Sequence, residues 1–377
     1  MSIVIRKVSS PKEMRTFLTF ANKLYRHHPY YVPNLVSDDA ATLDRKKNHA
    51  FEFCEAEYFL AYKDGKVAGR VAAIINHKAN KAWNTKQVRF GWIDFIEDMD
   101  VLQAMMQAVS DWGRERGMTD IAGPLGFTDF DPEGMLVDGF DRMGTMITIY
   151  NHEYYPEFLE KLGFRKEVDW VEYFIRIPET LPERFEKMAR LVIEKNNLRI
   201  RKLTMSDVHK EKYGQKMFRL INESYKQLYG YSLLSEKQMD QYVSQYLTFI
   251  DLRMVSFIEN AEGELVACGI TLPSLAKALR KAKGRLFPFG WAHLLNAMYL
   301  NRPDILDLLL VAVKPEYRDK GLNAVLFYDL GPTLIRLGFK YAESNPELET
   351  NTKVQTLWNS FDSTVHKRRR VYTRELL

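Results

Sequence analysis

Along the 377-residue chain the period of the apolar positions changes in a fixed order. In EYFLAYKDGKVAGRVAAIIN (57–76), apolar runs flank Asp64-Gly65, the pattern of two strands joined by a tight turn. MVSFIENAEGELVACGITLPS (254–274) repeats it around Glu262-Gly263. Each hairpin precedes one further strand candidate, FGWIDFIED or ILDLLLVAV, and then a segment with helical period. Leu102, Met105, Met106, Val109 and Trp112 share one face of the first helix; Leu322, Val325, Leu326, Leu330, Leu334 and Leu337 share one face of the second. Gly117 and Gly338 end the two helices, and Gly331-Pro332 predicts a kink or split in the second.

The parallel continues beyond these elements. VIRKVSSPKEM near the start resembles LRIRKLTMSDV near the middle, with Ile5 and Ile200 offset by 195 (200 − 5). In the closing strand candidates WVEYFIRI and RRVYTREL, Tyr173 and Tyr372 are 199 apart (372 − 173). Order kept over the whole length predicts two copies of one supersecondary plan. IPETLPE, with Pro178 and Pro182, marks the expected boundary, giving domains 1–180 and 181–377. Each is expected to be α/β, a mixed twisted sheet flanked by helices. A chain of this length, 46% hydrophobic, has material for two cores.

Charge narrows the field only slightly. Fifty-four Lys and Arg against 49 Asp and Glu leave +5 spread over a large surface, which does not predict a nucleic-acid partner. Cys54 and Cys268 make no disulfide framework, so a reducing cytoplasm is expected. Arg6 and Lys7 interrupt the opening where a secretory signal needs a longer uncharged run, and Leu308–Val313 is too short to cross a bilayer.

The stretch VAVKPEYRDKGLNAVLFYDL (311–330) carries the most specific chemistry. A buried strand ends at Lys314-Pro315, a polar turn runs from Arg318 to Gly321, and a helix starts near Asn323. Such a turn aims several main-chain N–H groups and the positive helix end at one point, where a phosphate fits. The spacing Val311-x-Val313-x-Pro315-x-x-Arg318-x-x-Gly321 resembles the central motif of the GNAT superfamily of acyl-CoA N-acyltransferases, strand, Arg/Gln-x-x-Gly-x-Gly/Ala, helix. Asn323 replaces the second small residue of that motif. NTKVQTLW (351–358) resembles the family's Asn-x-x-Ala-x-x-Leu-Tyr, with Val354 and Trp358 substituted. The two-copy layout is similar to bacterial tandem GNAT proteins.

The resemblance implies acetyl-CoA or another acyl-CoA as co-substrate, no metal, and direct transfer to a small-molecule or peptide amine in a ternary complex. It places the cofactor on Val311, Val313, Arg318, Asp319, Lys320, Gly321, Leu322, Asn323 and Asn351. It also implies that the Val311 N–H polarises the thioester carbonyl. The tyrosine that often protonates the leaving thiolate is Trp358 here, so another group does this or the thiolate leaves unassisted. Asp307 stands where some members keep a general base, and it either does that work or caps the strand; Glu343 is the second candidate. In the first half, Glu97, Asp98 and Asp100 crowd the helix entrance, where they suit the helix dipole and repel a pyrophosphate. We therefore expect the acyl-CoA site in the second half and a degenerate first half. The alternatives are a Fem-type transferase using aminoacyl-tRNA, against which the Arg318–Gly321 turn argues, and a non-catalytic binding module.

Three stretches fall outside this outline. In the segment 274–304, Lys277, Arg280, Lys281, Lys283 and Arg285 precede Phe287, Phe289 and Trp291. Its expected structure is a helical pair with the aromatics in a local core; the alternatives are peripheral contact with an anionic membrane and a bed for an acyl chain. The loop 123–155 holds Asp129, Asp131, Glu133, Asp138 and Asp141, read as a solvated loop or an attractor for a cationic amine. HKRRR (366–370) reads as a solvated strand flank, and His27 and His28 as structural.

Overall fold

The structure, a computed structural model, describes residues 2–246 and 250–376. Its strands are β1 (Ile3–Lys7), β2 (Cys54–Lys63), β3 (Lys66–Asn76), β4 (Gln87–Phe95), β5 (Asp120–Gly123), β6 (Met135–Asp138) and β7 (Arg165–Arg176) in the first half. The second half contributes β8 (Arg199–Arg201), β9 (Val255–Glu259), β10 (Leu265–Pro273), β11 (Ile305–Val313), β12 (Tyr341–Ser344), β13 (Glu347–Leu348) and β14 (Ser363–Glu375). All 14 form one mixed sheet in the order β1-β2-β3-β4-β5-β14-β7-β12-β11-β10-β9-β8, with β6 on β14 and β13 on β7.

The hairpins fall where the pattern puts them. Asp64 and Gly65 take φ of +48° and +78°, the conformation that a two-residue hairpin turn demands of both its central residues. The helix Met99–Arg114 buries Leu102, Met105, Met106, Val109 and Trp112 against the first half of the sheet. The helix Leu322–Arg336 runs unsplit through Pro332. Leu326 before the proline, and Leu330 and Leu334 on either side of it, are buried, so packing holds the helix together across the missing N–H.

In each half the fourth strand pairs in parallel with the strand after the helix: β4 with β5, β11 with β12. The closing strands are exchanged. β14, the end of the second half, pairs with β5 of the first, while β7, the end of the first, pairs with β12 of the second. The two then lie side by side, antiparallel, at the centre of the sheet.

That centre corrects the expectation for HKRRR. Lys367 and Arg369 are 1% exposed, and both bond to Glu172, which is fully buried. Arg368 and Arg370 pair with Asp169 on the other face. A strand with charges on both faces reads as solvated, but here the neighbouring strand carries a carboxylate on each face. The aromatic segment is corrected too: Phe287, Phe289 and Trp291 are exposed, while Leu275, Ala276, Leu279 and Met298 of the same segment form the local core. Among the described residues no helix is long and apolar enough to cross a membrane.

Candidate active site

β11 and β12 stay paired from Ile305 opposite Tyr341 to Leu308 opposite Ser344, and then part. Past that point β11 has only β10 beside it, with a bulge between Ile270 and Thr271, and Val311 is left 49% exposed. The carbonyls of Leu309, Val311 and Val313 face the gap, accepting from Asn345 Nδ2 at 2.8 Å, the Tyr225 hydroxyl at 2.8 Å and Ser224 Oγ at 2.9 Å. In an extended strand the N–H of a residue points with its carbonyl, so the N–H groups of Val311 and Val313 face the same gap.

At the open end of β11 the turn Pro315–Lys320 winds as a 3₁₀ helix into Gly321, whose φ is +81°. That left-handed geometry favours glycine, and no side chain caps the N-terminus of the helix that follows. The first N–H groups of a helix have no partner within it. The Arg318 guanidinium reaches back to the Ser224 carbonyl, which ties the turn to the end of the helix Tyr213–Tyr225. Asp319 and Lys353 form an exposed ion pair at 2.7 Å, and Lys320 lies 4.2 Å from the Tyr317 ring. Leu322 is buried, Asn323 is half-buried in the first turn, and Asn351 begins the helix Thr352–Trp358 without capping it.

Asp307 and Glu343 are opposite one another on β11 and β12, both buried. Burial pushes the Asp307 carboxyl up to about 7, with the Glu343 charge adding to the effect and a bond from Ser274 opposing it. Its Oδ1 has no hydrogen-bond partner among the described residues. Burial also works against the Glu343 charge, but Lys367 and His366 outweigh it and hold Glu343 below its ordinary value. Glu172, Glu343 and His366 bring ligand atoms within 4.8 Å of one another, a spacing that suits a cation, and the Lys367 ammonium bonded to both carboxylates is that cation. Glu343 is thus held in an ion pair with Lys367, whereas one carboxylate oxygen of Asp307 is left without a hydrogen-bond partner among the described residues.

One further group at the gap was not visible as a candidate in the sequence. Tyr225 reaches it from a helix, 86 residues before Val311 in the chain. Trp358, in place of the family tyrosine, donates its indole N–H to Glu347 at 2.8 Å, and burial pushes Glu347 up to about 7.

The first half has the same framework with different contents. Phe95 pairs with Gly69 as Val311 pairs with Gly269. Here the strand groups are already used: Phe95 N–H donates to the Tyr155 hydroxyl at 2.8 Å, its carbonyl accepts from Tyr154 at 2.6 Å, and the Tyr155 ring stacks on it at 4.1 Å. Only Ile96 and Glu97 separate β4 from Asp98, whose carboxylate caps the N–H groups of Asp100 and Val101. Beside this plug a cleft of about 760 Å³ is lined by His28, Tyr30, Phe140, Tyr150, His152 and Tyr154 with Glu97 and Asp141. Burial lowers both histidines, which favours their neutral forms. Of the five loop acids, Asp141 alone lines this cleft; Asp131 accepts from Phe127 N and Thr128 N, and Asp129 from Ser232 N. Asp129 and Asp131 are thus built into the fold, while Asp138 and Asp141 are exposed.

No protein-family model matches the chain. It is 26% identical over 374 residues to a protein named bacterial ceramide synthase from Caulobacter vibrioides, covering 98% of this chain and 96% of that one. It is 24% identical over 383 residues to Protein YghO of Escherichia coli, covering 99% and 95%. Among solved structures, a tandem GNAT protein from the clavulanic acid biosynthesis pathway superposes with a TM-score of 0.56 at 11% identity, covering 100% of this chain and 99% of that one. A GCN5-related N-acetyltransferase from Sphaerobacter thermophilus gives 0.51 at 11%, covering 99% and 96%. Over its whole length, with closing strands exchanged between the halves, the chain has the tandem GNAT fold.

Proposed function

We propose that the chain is an acyl-CoA-dependent N-acyltransferase whose site lies at the parting of β11 and β12. The observation that carries this reading is the uncapped helix N-terminus behind Gly321, standing at the end of a strand whose outward N–H groups face an open gap. The diphosphate of coenzyme A would lie on the turn from Arg318 to Asn323, and its pantetheine arm along Val313 and Val311. The name of the Caulobacter relative supports a choice of donor and acceptor. Ceramide is the amide of a fatty acid and a long-chain amino alcohol, so we assign a fatty acyl-CoA and a long-chain amino alcohol to this site.

In the reaction the amine nitrogen attacks the thioester carbonyl, the C–N bond forms, and the C–S bond breaks. The Val311 N–H polarises the carbonyl oxygen. Asp307 takes the proton lost by nitrogen; it stands four positions before Val311, about 13 Å along the strand at the usual rise, so the proton reaches it through a chain of several waters. We assign the Tyr225 hydroxyl, which reaches the Val311 carbonyl at 2.8 Å, as the donor to the departing sulfur. A carboxyl ionising near 7 is a competent base at neutral pH, whereas one neutralised by Lys367 is not.

The test is release of free thiol from a long-chain acyl-CoA on addition of sphinganine, with the amide identified by mass spectrometry. The expected result is amine-dependent release that Asp307→Asn removes and Glu343→Gln does not remove while the fold persists. Coenzyme A binding without any amide product, across short and long amines, would instead mark a binding module.

A further inference from the structure

The connection from β10 to β11, residues 274–304, carries a surface that acyl transfer does not explain. Its inner face is anchored. Leu275, Ala276, Leu279 and Met298 pack with Val32 and Leu272, and the Arg280 guanidinium donates to the carbonyls of Tyr31 at 2.6 Å and His28 at 3.2 Å. The Gly284 carbonyl accepts from Val36 N at 2.9 Å.

Its outer face is apolar and unscreened. Phe287 is 79% exposed, Phe289 72%, Leu300 78%, Trp291 47% and Leu295 41%. Elsewhere among the described residues, exposed large apolar side chains are scattered singly or in close pairs, whereas these five fall within 14 residues (287–300). The tip is built: Phe287 and Phe289 flank Pro288, whose carbonyl accepts from Trp291 Nε1 at 3.0 Å, and Leu295 lies one helical turn beyond Trp291. Lys277, Lys281, Lys283 and Arg285 are exposed just before the tip, and no Asp or Glu occurs between 274 and 303.

We propose that this tip docks on the surface of an anionic lipid bilayer, with Phe287, Phe289 and Trp291 entering the headgroup and acyl boundary and the four cations lying on the anionic headgroups. Charge selects this occupant. A protein interface has a polar rim of no fixed sign, whereas every charged side chain of this segment from 274 to 303 is cationic, as in an element that lies on an anionic membrane. Aromatic side chains at the boundary and bases beside them are the two signals that stable interfacial attachment requires.

The position is informative as well. β10 enters and β11 leaves the segment at Pro273 opposite Leu306, one residue from Asp307 and at the other end of β11 from the Gly321 turn. A lipid amine drawn from the bilayer would therefore arrive at the carboxylate end of the site. That last point rests on the acyltransfer reading; the docking surface does not, and its test needs no catalysis.

The full chain is sedimented with vesicles of phosphatidylcholine alone and of phosphatidylcholine mixed with phosphatidylglycerol. The expected result is binding to the mixed vesicles, weakened by salt, with little binding to phosphatidylcholine. Phe287→Ser/Phe289→Ser/Trp291→Ser should lower the partition coefficient by more than about tenfold, and Lys281→Glu/Lys283→Glu/Arg285→Glu should remove the preference for anionic lipid, at about fivefold per charge. Both variants should keep the wild-type melting temperature, since the substituted side chains are exposed. Wild-type protein left in the supernatant with both vesicles overturns the proposal. So does an aromatic variant that binds as tightly as wild type, or one whose only change is from dimer to monomer.

Discussion

Phe95 and Val311 hold the same place in the two halves, each opposite a glycine of the preceding strand and each at the edge where two parallel strands part. At Phe95 the chain fills that edge itself. The hydroxyls of Tyr154 and Tyr155 take both strand groups, and Asp98 supplies the negative group the helix end calls for. At Val311 only the carbonyl is taken, by Tyr225, and Gly321 leaves the helix end without a side-chain cap. One framework thus yields a plugged half and an open half, and the difference lies in a few side chains and in the length of the turn between strand and helix.

The largest expected effect concerns what joins the halves. Lys367→Met leaves Glu172 and Glu343 buried without their shared ammonium, which should cost about 3–5 kcal/mol in denaturant unfolding. An unchanged midpoint would mean the exchanged strands do not depend on this charge. Next comes Asp307→Asn, expected to lower kcat by about 10²–10³-fold while coenzyme A affinity is kept. In the wild type the acidic limb should lie near pH 7, because Asp307 must be ionised to accept a proton and burial raises its ionisation to about 7. The sign for stability is the opposite. Native Asp307 holds its proton where the unfolded chain has lost it, so its contribution is full below about pH 4 and is lost as pH rises through 7. The Asn variant should lose less stability between those values.

A smaller effect is expected at the helix end of the open half. Gly321→Val places a β-branched side chain at φ +81°, with Val192 Cγ2 only 3.1 Å from the new Cβ, and should weaken coenzyme A binding by about 10–50-fold. The smallest sharpens the plugged half: Tyr155→Phe strands the buried Phe95 N–H and should cost about 1–3 kcal/mol without altering cofactor affinity. Gain of a second cofactor site in that variant would show that one hydroxyl sets the difference between the halves.

Much of this was legible in the sequence for physical reasons. Hairpin turns declare themselves through residues that tolerate positive φ, as at Asp64-Gly65, and the site turn does so at Gly321. Helix faces show in spacing, as along Leu102–Trp112. What stayed hidden depends on partners far away in the chain. The burial of Lys367 and Arg369 needs Glu172, almost 200 residues earlier, and the exchange of β7 and β14 leaves no local trace. Tyr225 reaches the gap only through tertiary packing. Phe287, Phe289 and Trp291 look like core residues by composition, and only the fold shows them facing outward.

The central claim is that one half accepts the cofactor, and calorimetric titration of the full chain with coenzyme A tests it most directly. The account predicts one site per chain, weakened by Gly321→Val and untouched by Asp98→Ala. Two equivalent sites, or a single site lost in Asp98→Ala and kept in Gly321→Val, would contradict it.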